Sequence, residues 1–379
     1  MGRQRQFGGC GGLAAAFFCA SLSLSCSGGS AVGTGGGDTV VFRHARLLTV
    51  VDYGDCRRVD IADPWNTGRV LHSYILAPEG SDMEEPQGAT LIRVPVTRAI
   101  SFTTVHASLL SQLGATPAIV GIADGEYLKT PSLRLLYDGG VIADVGNAAS
   151  PDVERIVDLA PGAILASPFE NSGGYGALAD ADIPIVECAD YMEPSPLARA
   201  EWMRFYGMLF GVEQGADSLF AAVERRYEAL RADAKLYGSR PLVMVDKPMT
   251  SGVWYMPGGE STMGRIIADA NARYCLADVC KSGSVALSVE TAVERCGDAD
   301  VWIFRYGGAD ASYESLSDET GAFACLKAFR ERRVYGCSTE RTLFYEETPF
   351  RPDLLLAELI TVFHPEAPKG EARYFFPVR

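Results

Sequence analysis

The sequence predicts an α/β protein of two lobes, each a mainly parallel sheet flanked by helices, joined by one long α-helix, with an extra N-terminal β segment. Three observations carry this expectation. First, a short phrase occurs once in each half, SPDVERIVDLAPGAILAS at Ser150 to Ser167 and SVETAVERCGDADVWIF at Ser288 to Phe304. Each copy reads as a helix with a glutamate in its first turn (Glu154, Glu290), a turn and an apolar strand, so each half holds its own α/β unit. Second, Glu213 to Tyr237 carries Ala216, Leu219, Phe220, Val223, Tyr227, Leu230 and Ala234 at helical spacing, a rod of about 36 Å at 1.5 Å per residue. Third, 379 residues exceed what one hydrophobic core usually serves. Such a chain is expected to be a clamp with its ligand between the lobes. The alternative is one continuous α/β enzyme with a chance echo.

The first residues, to Cys26, hold two arginines, no acid and an apolar stretch from Leu13 to Leu24 that is short for a bilayer span. This predicts a secretion signal over residues 1–26. Cys26 follows Leu22, Ser23, Leu24 and Ser25, a loose lipobox, so it is the expected lipidation site, with cleavage to a soluble secreted protein as the alternative. Residues 27–38 form a Gly/Ser leash without core-forming side chains. No later stretch is apolar for eighteen residues without a charge, so the rest is not expected to span a membrane. The net charge of -14 argues against nucleic acid and against anionic lipid.

Residues 40–78 alternate apolar and polar positions around turns and read as one or two antiparallel hairpins. The segment TLIRVPV leads into RAISFTTVHASLLSQLGATPAIVGIAD, a strand, a polar turn, a helix ending at Gly114 and a second strand, the βαβ pattern. IPIVECAD is a further strand. Pro194 to Gly211 reads as an amphipathic helix with Trp202, Phe205, Tyr206 and Leu209 in the core. The first lobe therefore spans 39–212, the bridging helix 213–237 and the second lobe 238–379. In the second lobe RPLVMVDK is a buried strand, SGVWYMPGGESTMGRIIADANARYCLADV a loop and a helix, VWIFRYGG and RRVYGCS are strands, and a last helix stops near Pro365.

No HExxH, GxSxG elbow or Walker loop is present, and the four histidines, His44, His72, His106 and His364, are scattered. No catalytic residue is assigned. Beyond the leader the cysteines are Cys56, Cys188, Cys275, Cys280, Cys296, Cys325 and Cys337, an odd number. Cys275 with Cys280 and Cys325 with Cys337 are possible pairs, and buried single thiols are the alternative. Gly258 to Ser261 precedes a helix and either binds an anion through free N–H groups or forms a tight turn.

Open α/β sheets place ligands at the carboxyl ends of their strands. In the first lobe these ends carry Ser101, Thr103, Thr104, His106, Glu126, Tyr127, Phe169, Glu170 and Asn171. In the second they carry Lys247, Trp254, Tyr255, Arg305, Tyr306, Arg341, Phe344 and Tyr345. Aromatics and arginines facing each other suit a bulky, flat or anionic ligand rather than a bare ion. His106 either ligates or hydrogen-bonds a metal chelate or serves as a helix-capping core residue. Glu154 and Glu290 either answer the helix dipole or form a symmetric docking pair.

RAISFTTVHASLLSQLGATPAIVGIAD, DVGNAASPDVERIVDLAPGAILAS, YMEPSPLARAEWMRFYGMLFG, SGVWYMPGGESTMGRIIADA and FRPDLLLAELITVFHPE, in this order and spacing, resemble the periplasmic substrate-binding lipoproteins of ABC importers for iron-siderophores, haem and cobalamin. The resemblance covers nearly the whole mature chain and implies a protein lipid-anchored in the periplasm. It also implies a monomer without a cofactor of its own, whose transported ligand is an iron chelate, haem or corrinoid and whose partner is an ABC permease and ATPase complex. In cobalamin-binding relatives one glutamate per lobe docks into arginine pockets of the permease, and Glu154 and Glu290 match those positions. Many members have Ser-Pro-x-x-Thr-Glu where this chain has Thr103 to Ser108. Members that bind bare zinc or manganese draw several histidines from both lobes, whereas the second lobe here has His364 alone. A chelate-processing enzyme on the same scaffold and a surface lipoprotein that scavenges without a permease are the alternatives.

Overall fold

The computed structural model describes residues 36–170, 174–368 and 370–379. The expected signal, Cys26 and Asn171 lie outside the described residues.

Strands Asp38–Val40, Leu48–Asp52, Arg57–Ala62, Val70–Pro78 and Thr90–Val94 form a five-stranded sheet in that order. The first four pair antiparallel as a meander, which extends the expected hairpins. Thr90–Val94, expected to lead the first lobe, instead pairs parallel with Val70–Pro78. Its single fully buried side chain, Ile92, faces the core of this sheet. Pro95, with no N–H for a ladder, follows directly.

The first lobe is a five-stranded parallel sheet in the order Ile185–Glu187, Ala163–Ala166, Ala99–Ser101, Ile119–Ile122, Ala143–Asp144. All of Ala163–Ala166 is buried, as expected of a strand covered on both faces. The second lobe orders Arg273–Tyr274, Leu242–Val245, Val301–Tyr306 and Val334–Ser338 in parallel, and Phe376–Pro377 joins as an antiparallel edge. The repeated phrase becomes helix Val153–Asp158 before Ala163–Ala166 and helix Val289–Cys296 before Val301–Tyr306, capped by Asp152 and Ser288.

The helix expected over Pro194 to Gly211 is two, Pro196–Glu201 and Met203–Phe210, broken at Trp202. Nearly every residue of both is buried, so they act as a core element rather than an amphipathic surface helix. Gly207 makes this packing possible: a Cβ there would come within 2.6 Å of the Ala216 methyl on the next helix. That next helix, Glu213–Ala234, buries Ala216, Phe220, Val223, Tyr227 and Ala234 along one stripe. It stops before the expected Tyr237, because Leu236 and Tyr237 turn back onto the carbonyls of Asp233 and Ala234 and the Tyr237 ring stacks on His364 at 4.8 Å. Helices Met203–Phe210 and Pro352–Phe363 both pack on it. One continuous apolar cluster therefore runs from Tyr74 and Phe205 through Phe220 and Tyr227 to Trp302 and Phe363.

Buried carboxylates fasten both ends of the chain to this body. Glu201 accepts the backbone N–H groups of Arg43, His44 and Ala45 at 2.9, 2.7 and 2.9 Å. Glu193 accepts those of Arg46 and Leu47 and the Trp202 indole N–H. Glu358 does the same for Arg373, Tyr374 and Phe375. Burial raises the pKa of Glu193 and Glu358 against the pull of these donors.

The disulfide joins Cys275 to Cys296, with Cα atoms 5.4 Å apart. It replaces both expected pairs, since Cys325 and Cys280 are exposed free thiols and Cys337 is a buried one. Cys275 follows the edge strand and Cys296 ends the repeat helix, so tertiary packing rather than sequence proximity brings them together.

Two stability outcomes follow. Glu201→Ala leaves three amides without an acceptor and is expected to cost about 2–4 kcal/mol by urea denaturation, with faster amide exchange at 43–47; a shift under about 0.5 kcal/mol contradicts the latch. Cys275→Ser opens a loop of sequence separation 21 and is expected to cost about 3 kcal/mol, the same loss that reductant produces in the unsubstituted protein; equal midpoints with and without reductant contradict it.

Candidate functional site

The carboxyl ends of both parallel sheets meet around helix Phe344–Glu347. Its Glu346 is buried and reaches across to the first lobe, accepting the Lys129 N–H at 2.7 Å and the Thr130 hydroxyl at 2.5 Å. The same helix packs on Thr104–Gln112. This tie joins the loop that carries Tyr127, two residues before Lys129, to the helix that carries Tyr345. Both rings are exposed, at 62% and 50%, so each side of the seam presents an aromatic face to the strand-end floor.

Arg305 closes the floor from the second lobe. It stands at the end of Val301–Tyr306, with its guanidinium carbon 5.8 Å from the ring centroids of both Phe344 and Tyr345. Its Nε and Nη2 donate to the two Asp246 oxygens at 2.9 and 2.5 Å. Burial works against the guanidinium's charge, and the Asp246 carboxylate more than offsets it, so the pKa of Arg305 is raised. Asp246 follows strand Leu242–Val245 in the left-handed region, φ 61°. Farther out, Arg341 donates to Asp310 at 2.5 Å and the Tyr306 hydroxyl lies 3.4 Å from the same carboxylate. Lys247 pairs with Glu319.

Two expected contacts are corrected. His106 is a core residue: 2% exposed, with Nε2 2.8 Å from Asp190 Oδ1 and Nδ1 2.6 Å from the Thr103 hydroxyl. Phe350 of the second lobe covers its ring at 6.2 Å. Burial would raise the Asp190 pKa, but His106 and Arg199 lower it further, so the carboxylate stays charged inside the core. With both ring nitrogens engaged inside the first lobe and Phe350 against its ring, His106 is part of the core instead of meeting a ligand. Thr103 caps the same helix and is engaged by it. Trp254 is likewise buried, because residues Val253–Pro257 form a strand against Ser284–Ser288 where a loop was expected. Alternation turns Trp254 and Met256 inward onto Trp302 and Phe323 and leaves Tyr255 exposed on the outer face. Among the described residues no bond or ring contact ties Tyr255 to the Arg305 group. Gly258 and Gly259 form the tight turn: a Cβ on either would strike the backbone of Lys281 or Ala277, and Ser261 caps the following helix at Gly264 N.

Glu154 and Glu290 are both exposed in first turns of helices that run back from the carboxyl ends of their sheets. The Glu290 pKa is lowered by its own backbone N–H and by the Ser288 hydroxyl.

Asp246 and Asp310 were not singled out from sequence, although each lies within five residues of an apolar strand's end. Ser338, at the end of Val334–Ser338, is buried with no partner for its hydroxyl among the described residues, and no sequence signal marks it. Two concavities lie away from this floor. One of about 790 Å³ is lined by residues between Gly36 and Met83. The other, of about 450 Å³, lies between the N-terminal sheet and strand Ile185–Glu187, with His72, Arg93, Tyr175 and Glu187 in its walls. Neither includes the strand ends of the second lobe.

The chain is similar in sequence or in fold to several known proteins. An uncharacterized lipoprotein of Methanocaldococcus jannaschii is 25% identical over 363 residues, covering 89% of this chain and 85% of its own. A periplasmic heme binding protein from Pseudomonas aeruginosa superimposes with a TM-score of 0.59 at 17% identity, over 74% of this chain and 97% of that one. The structure of an ABC-type Fe3+-hydroxamate transport system from Saccharomonospora viridis gives 0.55 at 19% identity, over 71% and 93%. These structures share the fold. A sequence model described as periplasmic binding protein matches residues 100–340, from the first strand of the first lobe to just past the Ser338 strand end. The chain therefore belongs to the periplasmic binding protein family, a family of substrate-binding proteins rather than enzymes.

Proposed function

We propose that this protein is the extracytoplasmic solute-binding component of an ABC importer that captures a metal chelate, an iron-siderophore, haem or corrinoid, between its lobes and hands it to the permease. The observation that carries the reading is the Glu346 tie that joins strand-end segments of both lobes, with Tyr127 exposed on one side of it and Tyr345 on the other. Broad exposed aromatic faces at the mouth of two sheets suit a ligand far larger than an ion. Family membership supports a binding role, and the named neighbours bind heme or belong to an Fe3+-hydroxamate transport system. No described helix is long and apolar enough to cross a membrane. In this reading a diacylated Cys26 and the Gly/Ser leash hold the body beside the bilayer in which the permease sits.

The shared core across helix Glu213–Ala234 limits lobe movement, so affinity comes from a cleft that is largely formed before the ligand arrives. Calorimetric titration with haem, cyanocobalamin and ferric siderophores is expected to find at least one ligand with Kd below about 10 μM, roughly 7 kcal/mol. Silence across that panel contradicts the reading.

Delivery needs a docking surface on each lobe. Exposed in the first turns of their helices, Glu154 and Glu290 are the acidic knobs we assign to arginine pockets on the permease. Glu154→Ala combined with Glu290→Ala is expected to keep chelate affinity within twofold and to lose more than about tenfold of uptake in vesicles holding the transporter, a coupling of about 1.4 kcal/mol or more. Unchanged uptake favours a surface lipoprotein that only scavenges.

A further inference from the structure

The charge of the floor narrows the ligand class. We infer that the cleft takes an uncharged or cationic chelate, such as a ferric trihydroxamate or a corrinoid, and discriminates against a polyanionic one such as a ferric tris-catecholate. This rests on the reading of the cleft as a chelate site.

The second lobe supplies three cations at its strand ends and neutralises each of them. Arg305 is held bidentate by Asp246, Arg341 by Asp310 and Lys247 by Glu319. On the first lobe, Lys129 has no carboxylate within 4 Å among the described residues, yet its own N–H is bound by Glu346 and Glu126 lies exposed in the same loop. Glu170 adds an exposed acid and Glu340 accepts the Gly308 N–H at 2.8 Å. Carboxylates therefore outnumber cations around the floor.

A trianion entering this site gives up hydration and meets net negative charge. The Arg305 guanidinium it meets is already neutralised by the bidentate Asp246 carboxylate, so the open Nη1 offers a trianion a hydrogen bond without a net cation. Paired acids of this kind act as a repulsive element against the wrong ligand. An uncharged chelate loses nothing to them. Its apolar faces meet Tyr127, Phe169, Met249 and Tyr345, all strand-end residues at least half exposed. Its outward carbonyl oxygens find Arg305 as a donor fork without net charge, since Nη1 is not used by Asp246.

The test compares, by calorimetry, a neutral ferric trihydroxamate, cyanocobalamin and the ferric tris-catecholate trianion on the unsubstituted protein and on Asp246→Asn and Asp310→Asn. Asparagine tolerates the left-handed backbone at position 246. Asp310 is exposed, so its substitution keeps the test open should the first variant fold poorly. The expected result is at least tenfold tighter binding of a neutral probe than of the trianion, and a rise of about tenfold in trianion affinity in either variant. Equal or tighter binding of the trianion by the unsubstituted protein, or no gain in folded variants, overturns the inference and leaves the chelate reading standing. If no probe binds at all, the chelate reading falls and the inference with it.

Discussion

The fixed relation between the lobes governs everything else. Glu213–Ala234 shares one apolar core with both sheets, Phe350 of the second lobe lies on His106 and Tyr206 of the first, and Glu346 holds the Lys129–Thr130 backbone. A buried carboxylate satisfied by donors from the other lobe is costly to separate, because opening the seam strands the charge. The strand-end residues therefore keep their relative positions, and the site is a formed surface rather than two halves brought together by the ligand.

Acidic side chains do three different jobs in this chain. Glu193, Glu201 and Glu358 are buried acceptors for backbone amides and secure the terminal segments. Glu346 holds the seam, and Asp190 anchors His106, Arg199 and Tyr206 in the core of the first lobe. Asp246 and Asp310 neutralise the arginines that face the cleft. The net charge of -14 thus understates how specifically the acids are used: the same residue type stabilises the fold and, in the proposed reading, filters the ligand.

Much of this architecture was legible in the sequence where local pattern decides structure. The twin helix-strand phrase, the stripe from Ala216 to Ala234 and the apolar strands AILA and VWIF each carry their periodicity in a short window. What depended on distant partners was not legible. Thr90–Val94 reads as a strand, but its partner Val70–Pro78 lies in the other sheet. Val253–Pro257 lies next to glycines that suggested a loop, and only pairing with Ser284–Ser288 turns Trp254 inward. Cys275 meets Cys296 rather than a near neighbour. His106 allowed two readings until Asp190, 84 positions away, took its Nε2. Arg305 was expected at a strand end and stands there, yet the carboxylate that holds it, Asp246, follows a different strand 59 positions away, and no window of sequence contains both.

In the proposed function a chelate sits on the strand-end floor between the two lobes. Hydrogen exchange followed by mass spectrometry, with and without a saturating neutral ferric trihydroxamate, locates it. Protection is expected at 125–130, 246–250, 305–310 and 339–346 alone. Protection at 72–93 and 175–187, where the second concavity lies, with none at those segments, would contradict it.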